Sequence, residues 1–254
     1  MKLQTKEEIK GWLDKYRVKG YIINDDLTVD VIGDVLISYR KLKEIPFSFG
    51  NISGCFNCRS NELTSLEFCP KEVGGNFYCS DNRLTSLEFS PQKVGGSFSC
   101  SHNKITTLEY SPQEIGKEFN CSNNNLTSLE FSPKQVGGDF NCYGNKLTSL
   151  EFSPQRVNGN FNCSNNQLIS LEFSPQEIGG NFLCRNNKLN TLLYIPKEVK
   201  ESMSFINNTL LEKYQHIKTY KELVEANKLY KLEEKLKNSL SLIGEDNNNL
   251  KTKI

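Results

Sequence analysis

The 254-residue chain is 37% hydrophobic and 24% charged, and its 31 lysines and arginines nearly cancel 30 aspartates and glutamates, leaving a formal net charge of +1. It holds enough apolar material for a sizeable core but no net field that would draw it to nucleic acid, anionic lipid or a polyanion. The opening MKLQTKEEIK has no apolar signal stretch, and no run approaches the ~20 apolar residues that span a bilayer, so the chain reads as soluble and cytoplasmic, with no membrane contact.

The first element in chain order is a short helix. Thr5-x-x-Glu8 is a capping-box signature, and Ile9, Trp12, Leu13 and Tyr16 share one helical face before Gly20. Asn24, Asp25 and Asp26, between apolar runs, then predict a hairpin over Tyr21 to Val31. Residues 1–30 thus form an N-terminal cap.

Residues 31–210 repeat every 21 positions. Cys58, Cys79, Cys100, Cys121, Cys142, Cys163 and Cys184 hold this spacing without an insertion or deletion. Phe56, Phe77, Phe98, Phe119, Phe140, Phe161 and Phe182 precede them by two residues; Asn61, Asn82, Asn103, Asn124, Asn145, Asn166 and Asn187 follow by three. Leucine or isoleucine recurs at 63 and 66 and their equivalents, and a proline closes each turn from Pro70 to Pro196. Val35, Ile37, Leu42, Ile45 and Phe47 extend the register to an earlier degenerate turn, and Met203, Phe205, Asn208 and Leu210 to a last one, giving nine turns.

Phe and Cys two apart share one side of a short strand, so stacked turns form a parallel sheet with rungs about 4.8 Å apart. The asparagine is expected to bond backbone groups at the bend. The glycine pairs Gly74-Gly75, Gly95-Gly96 and Gly137-Gly138 predict a bend with positive φ, and Asn158 stands where a glycine is due because asparagine tolerates that region. A 21-residue turn leaves too little chain for a convex helix, so the returns through T-S-L-E-F-S-P are expected to be extended or polyproline-like. The fold class is therefore a mainly-β repeat solenoid with the sheet on its concave face and helical caps covering its ends. In the C-terminal cap, 211–254, Tyr214, Ile217, Leu223, Ala226, Tyr230 and Leu236 predict two or three helices. Breaks are expected at Asn227 and across Gly244 to Asn249, with a disordered tail over the last ten residues.

The consensus F-x-C-x-x-N-x-L-T-S-L-E-F-S-P-x-x-V-G-G resembles the leucine-rich repeat L-x-L-x-x-N/C-x-L over about two thirds of the chain, with Phe and Cys in the strand positions. The phrase C-S-N-N-x-L-T-S-L-E-F-S-P, the segment Asp30-Val-Ile-Gly-Asp-Val-Leu and Leu42-x-x-Ile-Pro are similar to leucine-rich-repeat proteins of tailed bacteriophages and some bacteria. That resemblance implies an accessory factor acting in a host cytoplasm by sequestering or inhibiting a host protein, antiphage-defence components included.

On the concave face the outward positions are mostly Asn and Ser, so bulky or charged departures mark a partner-binding surface for another protein: Arg59, Tyr78, Tyr143, Leu183 and Arg185. Asp81, Glu118 and Asp139 lie among them and would supply charge complementarity. Neutral drift of an exposed repeat face is the competing reading.

Cys55-x-x-Cys58 has redox or zinc spacing, but residues three apart on a strand face opposite sides, and no second pair completes a site. The ladder thiols read as small buried apolar groups, and Cys55 and Cys69, which depart from the repeat, as surface thiols. Glutamates at 67, 88, 109, 130, 151 and 172 form a like-charge column, read as a solvated convex edge with a cation stripe as the alternative. Threonines at 64, 85, 106, 127 and 148 run beside it. His102 and His216 are isolated, and nothing pairs a nucleophile with a base; neither catalytic residue, metal nor cofactor is expected. Two other classes are a structural component of a virion or assembly and the substrate-binding part of a bacterial effector. No cysteine follows Cys184 to serve as a ligase nucleophile in the latter.

Overall fold

The computed structural model describes residues 2–191, 193–209, 214, 217 and 219–251, with side chains to Lys237 in the final helix; Leu192, Leu210 and His216 lie outside the described residues. Helix α1, Lys6–Lys15, begins at a reciprocal capping box: the Glu8 amide donates to Thr5 Oγ1 at 3.2 Å, and the Thr5 amide donates to Glu8 Oε2 at 3.1 Å. Its buried Ile9 and Leu13 close the first end of the core, and Trp12 meets the Phe47 ring edge-on at 5.2 Å. The hairpin of β1, Tyr21–Ile23, and β2, Val29–Val31, follows as expected.

The main face is a nine-stranded parallel sheet of two-residue strands, running from Val35–Leu36 through Phe56–Asn57 and its equivalents to Met203–Ser204. Pairing is in register at 21 residues, so Phe56 lies beside Phe77 and Phe140 beside Phe161. Nine strands bound eight complete turns. Phe and Cys of each regular strand point inward and are fully buried, and successive rings from Phe56 to Phe182 stand 5.3 to 5.8 Å apart.

The extended returns carry a second ladder. Strands Glu72–Val73, Lys93–Val94 and Glu114–Ile115 continue a sheet begun by β1, β2 and Phe49–Ile52; Arg156–Val157, Glu177–Ile178 and Glu198–Val199 form another. Between them only an isolated bridge joins Val136 to Val157.

The glycine pairs sit at the corner between the two ladders, and the expectation of positive φ there is corrected: among the described glycines only Gly20, Gly33 and Gly144 have it, and Asn158 does not. Their cause is close approach. A Cβ on Gly95 would lie 2.2 Å from the Gly74 carbonyl oxygen, and one on Gly116 2.0 Å from that of Gly95, where backbone cannot yield. Lys117 and Asn158, the two larger residues in the glycine columns between Gly74 and Gly180, flank Val136, where the second ladder is interrupted.

Each column asparagine ties two turns together. Asn124 Nδ2 donates to the carbonyls of Cys121 and Cys100, both at 3.1 Å, and its Oδ1 accepts the Ile105 amide at 3.0 Å. Serines do the same at the next corner, where Ser111 Oγ donates to Phe131 O at 2.8 Å and Ser132 Oγ to Phe152 O at 2.9 Å. Among the described residues no buried side-chain nitrogen or oxygen lacks a partner.

At the C-terminus the breaks expected at Asn227 and Gly244 are corrected: among the described residues Tyr220–Lys251 form one helix, α2, continuous through both, while 210–213, 215, 216 and 218 lie outside the described residues. No proline interrupts it. A mid-helix glycine costs only about 1 kcal/mol, which 32 residues absorb. Thr219 and Glu222 cap one another, and Lys228–Glu225 and Lys237–Glu234 pair along the helix. The last-ten-residue tail was expected disordered, but the helix covers that stretch as far as Lys251. Buried Tyr214, Ile217 and Leu223 join the core, and Tyr220 Oη donates to Pro196 O at 2.8 Å. None of the described helices is long and apolar enough to cross a membrane.

Asn124→Ala strands the Ile105 amide and leaves the Cys100 and Cys121 carbonyls with one asparagine donor each, from Asn103 and Asn145, so urea unfolding should show a loss of about 2 kcal/mol. Asn125→Ala, whose side chain leaves the ladder untouched, should change stability by less than about 0.5 kcal/mol.

Candidate interaction face

The outer surface of the nine-stranded sheet is built by three columns: the residue before each Phe, the one between Phe and Cys, and the one after Cys. Arg59 is exposed and lies over the Tyr39 ring at 5.5 Å, with half-buried Tyr78 on the next rung. Burial raises the Tyr78 phenol pKa, with Cys55 and Glu118 adding to the rise and Arg59 opposing it. Tyr39 completes this cluster and was missed by sequence reasoning. Its signal was its place, because it is an aromatic at 67% exposure in a column of small polar residues.

Glu118, Asp139, Leu183 and Arg185 converge on a second feature, a hollow of about 410 Å³ also lined by Asn160 and Asn181. Burial raises the Glu118 carboxyl pKa, and the negative charge of Asp139 raises it further. Tyr143 sits between the clusters and accepts a hydrogen bond from Asn165 Nδ2 on its hydroxyl.

Two of the acidic candidates have structural tasks. Asp139 Oδ1 accepts the Asn160 amide at 2.7 Å and Oδ2 accepts Asn160 Nδ2 at 3.1 Å. Asp34, Asn76 and Asn160 likewise receive the amide one turn on, so a carboxylate in this column serves stacking. Asp81 is not on a strand: it occupies the corner after Ser80 with φ 54°, a left-handed conformation that short polar side chains relieve.

The reading of Cys69 as a surface thiol is corrected. It is buried beside Cys58, and burial pushes its thiol pKa well up. It stands in the serine corner column, where a small side chain fits inward. Cys55 is half-buried, and its sulfur accepts the Asn76 amide at 3.4 Å. Burial pushes the Cys100 and Cys142 thiols up to about 12 and raises those of Cys79, Cys121, Cys163 and Cys184 as well. No group of three metal-ligating side chains occurs among the described residues.

A further column was not recognised from sequence as a surface feature. Every regular turn has two left-handed residues. One column reads Ser60, Asp81, His102, Asn123, Gly144, Asn165 and Asn186, the residue types that tolerate such backbone. The other reads Phe68, Phe89, Tyr110, Phe131, Phe152, Phe173 and Tyr194, all at φ between 63° and 69°. From Phe89 to Tyr194 these rings are 41% to 56% exposed. Three of the column, Phe68, Phe89 and Tyr110, border with Phe49 a groove of about 910 Å³ that Glu67, Lys71 and Glu114 also line. Each ring from Phe68 to Phe173 follows a glutamate of the carboxylate column from Glu67 to Glu172, whose members are exposed or half-exposed, and Tyr194 follows Leu193. The repeating Phe of L-E-F-S-P was the available signal, since it lies off the core register.

The chain matches no known family model and no curated protein sequence.

Because the Glu118 pKa is raised on folding, its ionisation opposes folding. Stability is lost as pH rises from the unfolded toward the folded pKa, and the penalty is complete above it. Glu118→Gln should therefore raise the Tm at pH 7, with the gain closing as the buffer is acidified below both values. At pH 8 the native chain should leave Cys69 and the seven ladder thiols unalkylated by iodoacetamide, read by intact mass, and all nine should react in denaturant.

Proposed function

We propose that this protein is a non-enzymatic, protein-binding solenoid of the leucine-rich-repeat type, a phage-encoded accessory factor that sequesters or inhibits a host protein against the outer face of its nine-stranded sheet. The observation that carries the reading is the contrast on that face. A field of Asn and Ser is interrupted by an Arg59–Tyr39–Tyr78 cluster and by Leu183 and Arg185 over a hollow. Tyrosine and arginine are the side chains that most often anchor interfaces, and these are held on a rigid, hydrogen-bonded ladder, which lowers the ordering cost of binding.

The test is affinity capture from a bacterial host lysate with the full chain and with a variant carrying Tyr78→Ala, Tyr143→Ala, Leu183→Ala and Arg185→Ala together. The reading expects a discrete host protein retained by the parent and lost, by at least about tenfold, from a variant with an unchanged circular dichroism melt. Equal retention by the variant refutes the sheet face as the binding surface.

A further inference from the structure

The aromatic column has no explanation in backbone or core. A left-handed φ is unfavourable for a bulky side chain, and from Ser60 to Asn186 the neighbouring left-handed column meets that demand cheaply, with Asn, Asp, His, Ser and Gly, Tyr39 alone being bulky at its start. Burial does not require aromatics either, since about half of each ring from Phe89 onward faces solvent. What remains is the side chain itself, presented once per rung along the axis.

Its surroundings define the chemistry. A carboxylate precedes each ring from Phe68 to Phe173, and among the described residues none of these six glutamates forms an ion pair. A column of like charges one rung apart is repulsive, and a cation laid along it removes the repulsion. Ring faces also attract cations, and two already hold the chain's own: Lys2 Nζ lies 4.7 Å from the Phe68 ring centroid and Lys134 Nζ 5.8 Å from that of Phe152. Lys2 reaches its ring from a segment tied down by the Leu3 amide, which donates to Pro46 O at 2.8 Å, at the end of the groove.

The spacing selects the backbone of the ligand. Rungs about 4.8 Å apart place alternate rings about 9.6 Å apart. An extended β-chain returns a side chain to one side every ~6.7 Å and falls out of step. A polyproline II helix does so every third residue, about 9.3 Å, and stays in step over several rungs. Aromatic grooves are a general means of gripping such preformed helices.

We infer that the Phe/Tyr column and its glutamates form a docking groove for a partner segment in the polyproline II conformation that carries lysine or arginine at every third residue. The surface is separate from the sheet face and the two readings stand or fall independently.

The experiment is fluorescence anisotropy on the full chain with a labelled peptide of about four Lys-Pro-Pro repeats, against a Lys-Gly-Ser peptide of equal charge and length. The Lys-Pro-Pro peptide should bind at least about tenfold more tightly, because the flexible chain must be ordered first. Phe89→Asn, Tyr110→Asn and Phe131→Asn together keep a residue suited to the left-handed backbone, so the variant folds, and should weaken binding about tenfold or more. Glu88→Gln with Glu109→Gln should weaken it and flatten its salt dependence. Tyr143→Ala with Leu183→Ala should leave it unchanged. Equal binding of the two peptides, displacement by spermine at matched charge concentration, or full affinity in the asparagine variant would overturn the proposal. Loss of binding in the sheet-face variant would overturn its placement.

Discussion

A coil that turns within 21 residues must bury peptide groups at its corners, and everything else in this molecule follows from how those groups are satisfied. A bending chain cannot pair its own corner amides and carbonyls, and each one left unpaired costs about 1–3 kcal/mol. The asparagine column solves this by reaching across turns. Its Nδ2 takes one carbonyl from its own turn and one from the turn before, while its Oδ1 takes an amide from the turn before. Such a side chain works only if the next turn is its copy, displaced by one rung. One inserted residue would carry the asparagine off its partners, which is a physical reason for seven cysteines at an unbroken 21-residue spacing.

The same stacking sets the glycine corner. Where two ladders meet, the backbone of one turn lies against that of the previous one closely enough that a Cβ would overlap a carbonyl oxygen. At Lys117 and Asn158 the chain departs from glycine, and the turn between them, at Val136, keeps the face sheet but has only a bridge in the second ladder. Stability in a solenoid is a sum of nearest-neighbour terms, so this turn is coupled to its neighbours more weakly than those on either side.

Core columns were legible in the sequence because burial imposes a strict period and strict residue types: Phe, Cys, Leu and Asn each recur where the structure places them inward. The caps were legible only where local chemistry decides them. Thr5 and Glu8 announced α1, whereas Asn227 and Gly244 suggested breaks that a long, internally paired helix overrides. Three features were hidden because one residue type answers two different demands. Glycine serves close approach as well as positive φ. Aspartate serves a backbone ladder at Asp139 and a left-handed corner at Asp81 as well as a partner. Cysteine at position 69 fills a serine's place inward, although its rarity drew attention to it as a reactive group.

The two surfaces of this solenoid differ in a way that decides what each can do. The sheet face is irregular, with its bulky residues gathered at two places, so a partner that uses both has one register and one orientation. The aromatic column is nearly invariant from rung to rung, so a periodic ligand meets equivalent sites when it slides along the axis. Such a surface reads conformation and charge spacing, not identity, and several equivalent registers favour binding by RT ln of their number. The proposed ligand of the column would therefore be held without a fixed place along its length, whereas a partner on the proposed sheet-face site would be held in one.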